Sequence, residues 1–122
     1  MTPLREPRAY LPLPAHDLHI LLAVFDEAKH GYAIIQAIAE RTGGETRLGT
    51  STVYAALKRM VAAGIIAETE RPRNDPSTDE RRRYYRATTF GHEVARAAAR
   101  DIARLHELVR TARLIAPKRS TP

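Results

Sequence analysis

The chain has 122 residues, with 20 Lys and Arg against 14 Asp and Glu, a formal charge of +6, 43% hydrophobic residues and no cysteine. That length holds one domain around a single core with at most an appended helix, and the ordinary hydrophobic share excludes wholesale disorder. The missing cysteine excludes disulfides, thiolate metal sites and cysteine nucleophiles, and the basic balance favours a polyanionic partner.

Met1 to Leu13 carries Pro3, Pro7 and Pro12 with Arg5 and Arg8, so residues 1–13 are expected to form a flexible basic arm. It has no apolar core of the signal-peptide type. The longest apolar run, Ile20 to Phe25, is too short to span a bilayer. A soluble cytoplasmic protein without membrane attachment is the expectation.

Pro14 suits the start of a helix, where its missing N–H is not needed. Leu18, Leu21, Leu22 and Phe25 follow at helical spacing and predict a first core helix ending near Asp26-Glu27. His16 and His19 stand three apart, a spacing that could hold a metal from one face, but no third ligand accompanies them and no metal site is assigned. His30-Gly31-Tyr32 opens a second helix to about Thr42, with Tyr32, Ile35, Ile38 and Ala39 as its buried stripe. Gly43-Gly44 closes it, because both tolerate positive φ. Thr46-Arg47-Leu48 reads as a very short strand.

The third helix begins after Gly49, with Thr50 or Ser51 as its N-cap. Val53, Leu57, Met60 and Val61 recur at spacings of three and four and predict its core stripe. The other face carries Ser51, Thr52, Ala55, Lys58, Arg59 and Ala62. A short helix with small polar residues first and two cations later fits a DNA major groove. Arg59 is the one residue there able to make a bidentate contact to guanine, and Tyr54 lies on the flank shared with Lys58. Gly64 stops the helix and Ile65-Ile66 starts a strand.

Residues 71–79 have loop chemistry, and Arg81 to Ala87 reads as the returning strand of a hairpin. Alternation puts Arg83, Tyr85 and Ala87 on one face and Arg82, Tyr84 and Arg86 on the other. Between Arg71 and Arg86 six Arg stand against three acidic residues. Exposed charges contribute little to stability, so this density suits a phosphate-binding wing. Thr88 or Thr89 caps a last helix whose stripe is Val94, Ala98, Ile102, Leu105, Val109 and Ala112, with Leu108 on its edge. The stripe is longer than the domain needs and predicts a second copy packed against it. Pro117 ends the helix before a basic tail.

These elements make the chain mainly α with a small β-hairpin. The expected organisation is a flexible arm at 1–13, a winged helix-turn-helix at 14–88, a dimerisation helix at 89–116 and a flexible tail at 117–122. No nucleophile-base spacing, paired-carboxylate cleft or phosphate loop stands out, so an enzyme is not expected, and no cofactor. A winged-helix protein-interaction module is the alternative, which the charged wing and Lys58-Arg59 argue against.

The chain resembles the PadR-like family of transcriptional regulators. The matching pieces are His19-Ile20-Leu21-Leu22-Ala23, His30-Gly31-Tyr32-Ala33-Ile34, Thr52 to Met60 with Gly64-Ile65-Ile66, and Arg83 to Thr88 with Gly91. They fall in family order from about Leu13 to Ile115. The resemblance implies a homodimer built through the C-terminal helix and repression at a two-fold symmetric operator. It places Tyr54 and Lys58 against phosphates, and Ser51, Thr52 and Ala55 against bases, while Arg81, Arg82 and Arg83 belong to the wing read from the return strand itself. The partners so implied are double-stranded DNA, a second copy of the chain, and a small-molecule effector of unidentified chemistry. The single C-terminal helix makes this a short-tailed form.

Overall fold

Among the described residues the chain forms four α-helices and three short strands. In the computed structural model, residues 5–73, 75 and 82–116 are described. Helix α1 spans Ala15–Ala23, entered from Pro14 as expected but stopping short of Asp26-Glu27. Its buried side is Ile20, Leu21 and Ala23, with Val24 just beyond, whereas Leu22 is half exposed. Strand β1, Lys29–His30, is only two residues long and lies between the two helices, where no strand is expected. Helix α2, Gly31–Arg41, starts on the His30 side chain, whose Nδ1 accepts the Ala33 N–H at 3.2 Å. Ile34 and Ile38 form its core side. The stripe is therefore rotated from the expected one: Tyr32 points to solvent and Ile35 is only partly covered. Gly43 and Gly44 close α2 at φ of 60° and 85°, a conformation that glycine adopts without steric cost.

No strand forms at Thr46-Arg47-Leu48, where Leu48 is buried within a loop. Helix α3, Thr50–Ala62, takes Gly49 rather than Thr50 or Ser51 as its N-cap, with no side-chain cap bond. Val53, Ala56, Leu57 and Met60 are its core residues, while Val61 lies at the exposed margin. Gly64, at φ 75°, turns the chain into β2, Ile66–Thr69.

Strand β3, Tyr84–Ala87, is the middle of a three-stranded antiparallel sheet in the order β1-β3-β2. Ile66 pairs with Ala87 and Glu68 with Tyr85 on one side, and His30 pairs with Tyr84 on the other. The alternation of faces is as the sequence implies, yet both tyrosines are buried. Tyr85 faces the main core. Tyr84 packs edge-on against the His30 ring and donates its hydroxyl proton to Asp75 from the wing loop.

Helix α4, Thr89–Thr111, runs 23 residues and is capped by Thr88, whose Oγ1 accepts the Gly91 N–H at 2.9 Å. Val94 and Ala98, expected in a dimer stripe, belong to this domain's own buried core side together with Ala95 and Ala97. The first half of α4 has to cover the sheet and α1, which uses up that part of the stripe. The segment before α1 is also not the loose arm expected over its described residues. A 3₁₀ turn, Pro7–Tyr10, lies on α4. There Arg8 Nη2 donates to both carboxylate oxygens of Asp101, at 2.8 and 3.0 Å, and Tyr10 meets Phe90 edge-to-face at 5.4 Å. The Arg8 contact holds the Asp101 carboxyl below its usual range. Met1 to Leu4 and the expected tail at 117–122 lie outside the described residues.

Gly91 is where α4 meets the backbone of the turn before β2, because a β-carbon there would run into the Ile65 carbonyl oxygen. Gly91→Ala is expected to cost about 1–3 kcal/mol, the usual range for overpacking. Thermal unfolding followed by circular dichroism would show it as a drop of several degrees.

Candidate nucleic-acid interface

Helix α3 turns its apolar side inward, which leaves Ser51, Thr52, Ala55, Lys58, Arg59 and Ala62 together on an exposed face. The small residues at the first two turns leave the helix surface bare, and the two long cations come later. Tyr54 stands half exposed on the flank of α3, its phenol lying over the first residue of α2: a β-carbon on Gly31 would sit 2.5 Å from the Tyr54 Oη. Glycine at that position is what allows the ring to lie there.

The base of the wing supplies the second set of groups. Arg83 reaches across the strand pair to Glu68 at 3.0 Å. Beside them the Tyr85 hydroxyl is pushed up, first by burial and then by the Glu68 charge. Arg82 brings Nη1 to 3.1 Å from His30 Nε2. Arg81, expected on the same strand, lies outside the described residues. Tyr85 lies within electrostatic reach of Glu68, Arg83 and Tyr54, so the wing root and α3's flank adjoin through it.

Arg59 is tied to α1. Its guanidinium forks onto Asp17 in the first turn of α1, Nη1 to Oδ2 at 2.9 Å and Nη2 to Oδ1 at 3.2 Å. Asp17 is the one buried charged residue among those described. The end-on edge of the guanidinium is therefore occupied within the protein, and Nε–H takes no part in the pair.

Asp17 and His30 were not singled out from the sequence as parts of this surface. The partner of Asp17 lies 42 positions away, and no local spacing reports such a pair. His30 had a weak signal in its place just before the first helical residue, where N-cap acceptors sit. Among the described residues no group of three metal-capable side chains comes together, His16 and His19 included. No helix among them is long and apolar enough to cross a membrane.

The second half of α4 presents a different surface. Ile102, Leu105 and Leu108 are 49%, 60% and 62% exposed, with Ala112 exposed and Val109 partly covered. The apolar stripe continues past the domain's edge with nothing of this chain against it among the described residues.

Three helices, a three-stranded sheet with a wing and a long C-terminal helix define a winged helix-turn-helix protein. Residues 20–97 match the transcriptional regulator PadR-like family, and the chain belongs to that family, whose members are transcription regulators and not enzymes. The fold is similar to a transcriptional regulator from Clostridium thermocellum, at TM-score 0.67 and 22% identity over 85% of this chain and 90% of that one. It is similar to a PadR family transcription regulator from Clostridium difficile, at TM-score 0.64 and 26% identity over 78% and 94%. It also resembles Bacillus subtilis PadR in complex with operator DNA, at TM-score 0.55 and 20% identity over 90% of this chain and 52% of that one.

His30 gives the wing root a pH dependence. Its Nδ1 accepts a backbone N–H, so the neutral ring carries its proton on Nε2, facing a guanidinium that can only donate. Burial, and after it Arg82, push the His30 pKa below 6.5, against a smaller upward pull from Asp75. The native state then binds fewer protons than the unfolded one below the ordinary histidine pKa, so stability falls as pH drops through that range. His30→Asn keeps an N-cap acceptor without a titrating group. Urea midpoints measured from pH 7.5 to 5 are expected to fall less steeply for this variant than for the wild type.

Proposed function

We propose that this chain is a repressor that binds duplex DNA as a homodimer on a two-fold symmetric operator. The observation that carries it is the pairing, on one rigid domain, of α3's bare and basic outer face with an arginine-bearing wing. On this reading α3 enters the major groove, where Ser51, Thr52 and Ala55 meet base edges and Tyr54 and Lys58 meet flanking phosphates. Arg81, Arg82 and Arg83 lie along the backbone, where they neutralise phosphate without reading sequence. A net charge of +6 per chain supports this, and a dimer doubles the field. The neighbouring Bacillus subtilis PadR, held in complex with operator DNA, supports the same mode of binding.

The dimer forms through residues 102–112 of α4, with Ile102, Leu105, Leu108, Val109 and Ala112 at its seam. Apolar side chains as exposed as Leu105 and Leu108, in a row on one helix, are what a second copy would cover. A small-molecule effector that alters the spacing of the two α3 helices would release the operator.

Selection from random duplex DNA tests the reading as a whole. A palindromic consensus with half-sites about one helical turn apart is the expected result, and enrichment of no sequence would overturn it. Leu105→Glu puts a charge into the seam and is expected to turn a dimer into a monomer in sedimentation at micromolar concentration. A monomeric wild type would refute the dimer. Arg82→Ala with Arg83→Ala is expected to weaken cognate and random duplexes alike and to flatten the salt slope by about one unit per lost phosphate contact. A loss confined to the cognate site would make the wing a base reader.

A further inference from the structure

We propose that Asp17 is a positioning residue for DNA reading, fixing Arg59 in a single pose before DNA arrives. This rests on the DNA-binding reading above and deepens it. Arg59 is the long side chain at the centre of a face otherwise made bare by Ala55 and Ala62. Left alone, such a side chain would sample many rotamers and would have to be ordered on binding. The fork onto Asp17 orders it in the free protein.

The geometry of the fork decides what remains for DNA. Asp17 takes the end-on edge of the guanidinium, one N–H from Nη1 and one from Nη2. A guanidinium has five N–H donors, so three are left. Two of these, Nε–H and the second Nη2–H, point the same way and form the side-on edge, which is the geometry that pairs with the O6 and N7 of guanine. The Arg59 side chain is 60% exposed although its end-on edge is engaged, while Asp17 is 6% exposed. The carboxylate is buried, while most of the arginine side chain is exposed.

Stability alone gives little reason for this pair. A pair with one partner largely exposed adds little net stability, and what the fork does fix is the direction of the guanidinium. The fork is also the only side-chain hydrogen-bonded link from α3 to another element among the described residues.

The test compares wild type, Asp17→Asn, Arg59→Ala and the double variant on the selected duplex, its single-base variants and a random duplex at one salt concentration. Ordering a long side chain only on binding costs up to about tenfold in affinity. Asp17→Asn is therefore expected to reduce the ratio of selected to random binding by up to about tenfold while random binding stays within about twofold. Arg59→Ala should lose at least as much, and the double variant no more than Arg59→Ala. Equal weakening on all duplexes would make Asp17 merely structural, and an unchanged ratio in both single variants would equally overturn the proposal. A wild type that discriminates no duplex would instead defeat the DNA-binding reading itself. Because Asp17→Asn can fail to fold, nitrogen relaxation of the Arg59 Nε–H is measured in the wild type as well. A side chain already rigid in the free protein is expected, and one that becomes rigid only on DNA would overturn the proposal.

Discussion

The fold depends on one junction, where the Thr88 hydroxyl stands between two stretches of backbone. It donates to the Gly64 carbonyl at 2.6 Å and accepts the Gly91 N–H at 2.9 Å, while the Thr88 N–H bonds the Ile65 carbonyl at 3.0 Å. The turn after α3, the end of β3 and the start of α4 are thereby joined through a single residue. One position earlier, the Ala87 N–H bonds the Val24 carbonyl at 3.1 Å and brings the end of α1 into the same knot. Buried backbone groups must be paired, and here they are paired across four elements rather than within one. The orientation of α3 relative to α4 is a consequence of that pairing.

Much of this was legible because it is periodic or chemically local. The amphipathic pattern of α3, the glycine pair after α2, the threonine cap of α4 and the arginine-rich return strand all follow from residues within a few positions of each other. What was not legible is what depends on distant partners. A strand of two residues has no period to detect, so β1 was hidden, and with it the central place of β3. That place is why Tyr84 and Tyr85 are both buried despite alternating faces: one packs on the core and the other beneath the wing loop. The segment around Tyr10 has proline-rich loop chemistry and becomes ordered only because Phe90 and Asp101 are there to receive it. In α2, Tyr32 reads as apolar in a pattern yet faces solvent, and the core beneath that helix is filled by Ile34 beside the expected Ile38.

Charge is distributed by the same logic. The wing root holds Arg83 against Glu68, so that cation is oriented before any polyanion approaches. Exposed pairs of this kind add little stability, since water screens them and the side chains lose freedom in forming them. Their effect is to restrict where each guanidinium points. The Asp17–Arg59 fork does the same at the opposite side of α3, with the difference that its carboxylate is buried. In both places acidic residues set the direction of basic ones, a role that net charge alone does not reveal.

Helix α4 then joins the two surfaces without a flexible element between them. Thr88 follows Ala87 of β3 directly, so wing and helix share a rigid joint, and at 1.5 Å per residue the 23 residues of α4 extend about 35 Å. Its first half is spent on this domain's core, which fixes its angle. Its second half leaves the domain with its apolar stripe uncovered. In the proposed dimer, a seam formed there would be linked rigidly to each α3, so the separation of the two reading helices would be set by the packing of α4 on its own domain. DNA that presents half-sites at another separation would have to be bent or twisted to fit. Part of the selectivity of such a dimer would then arise from the deformability of base pairs that neither α3 touches, which suits a reading face as bare as this one.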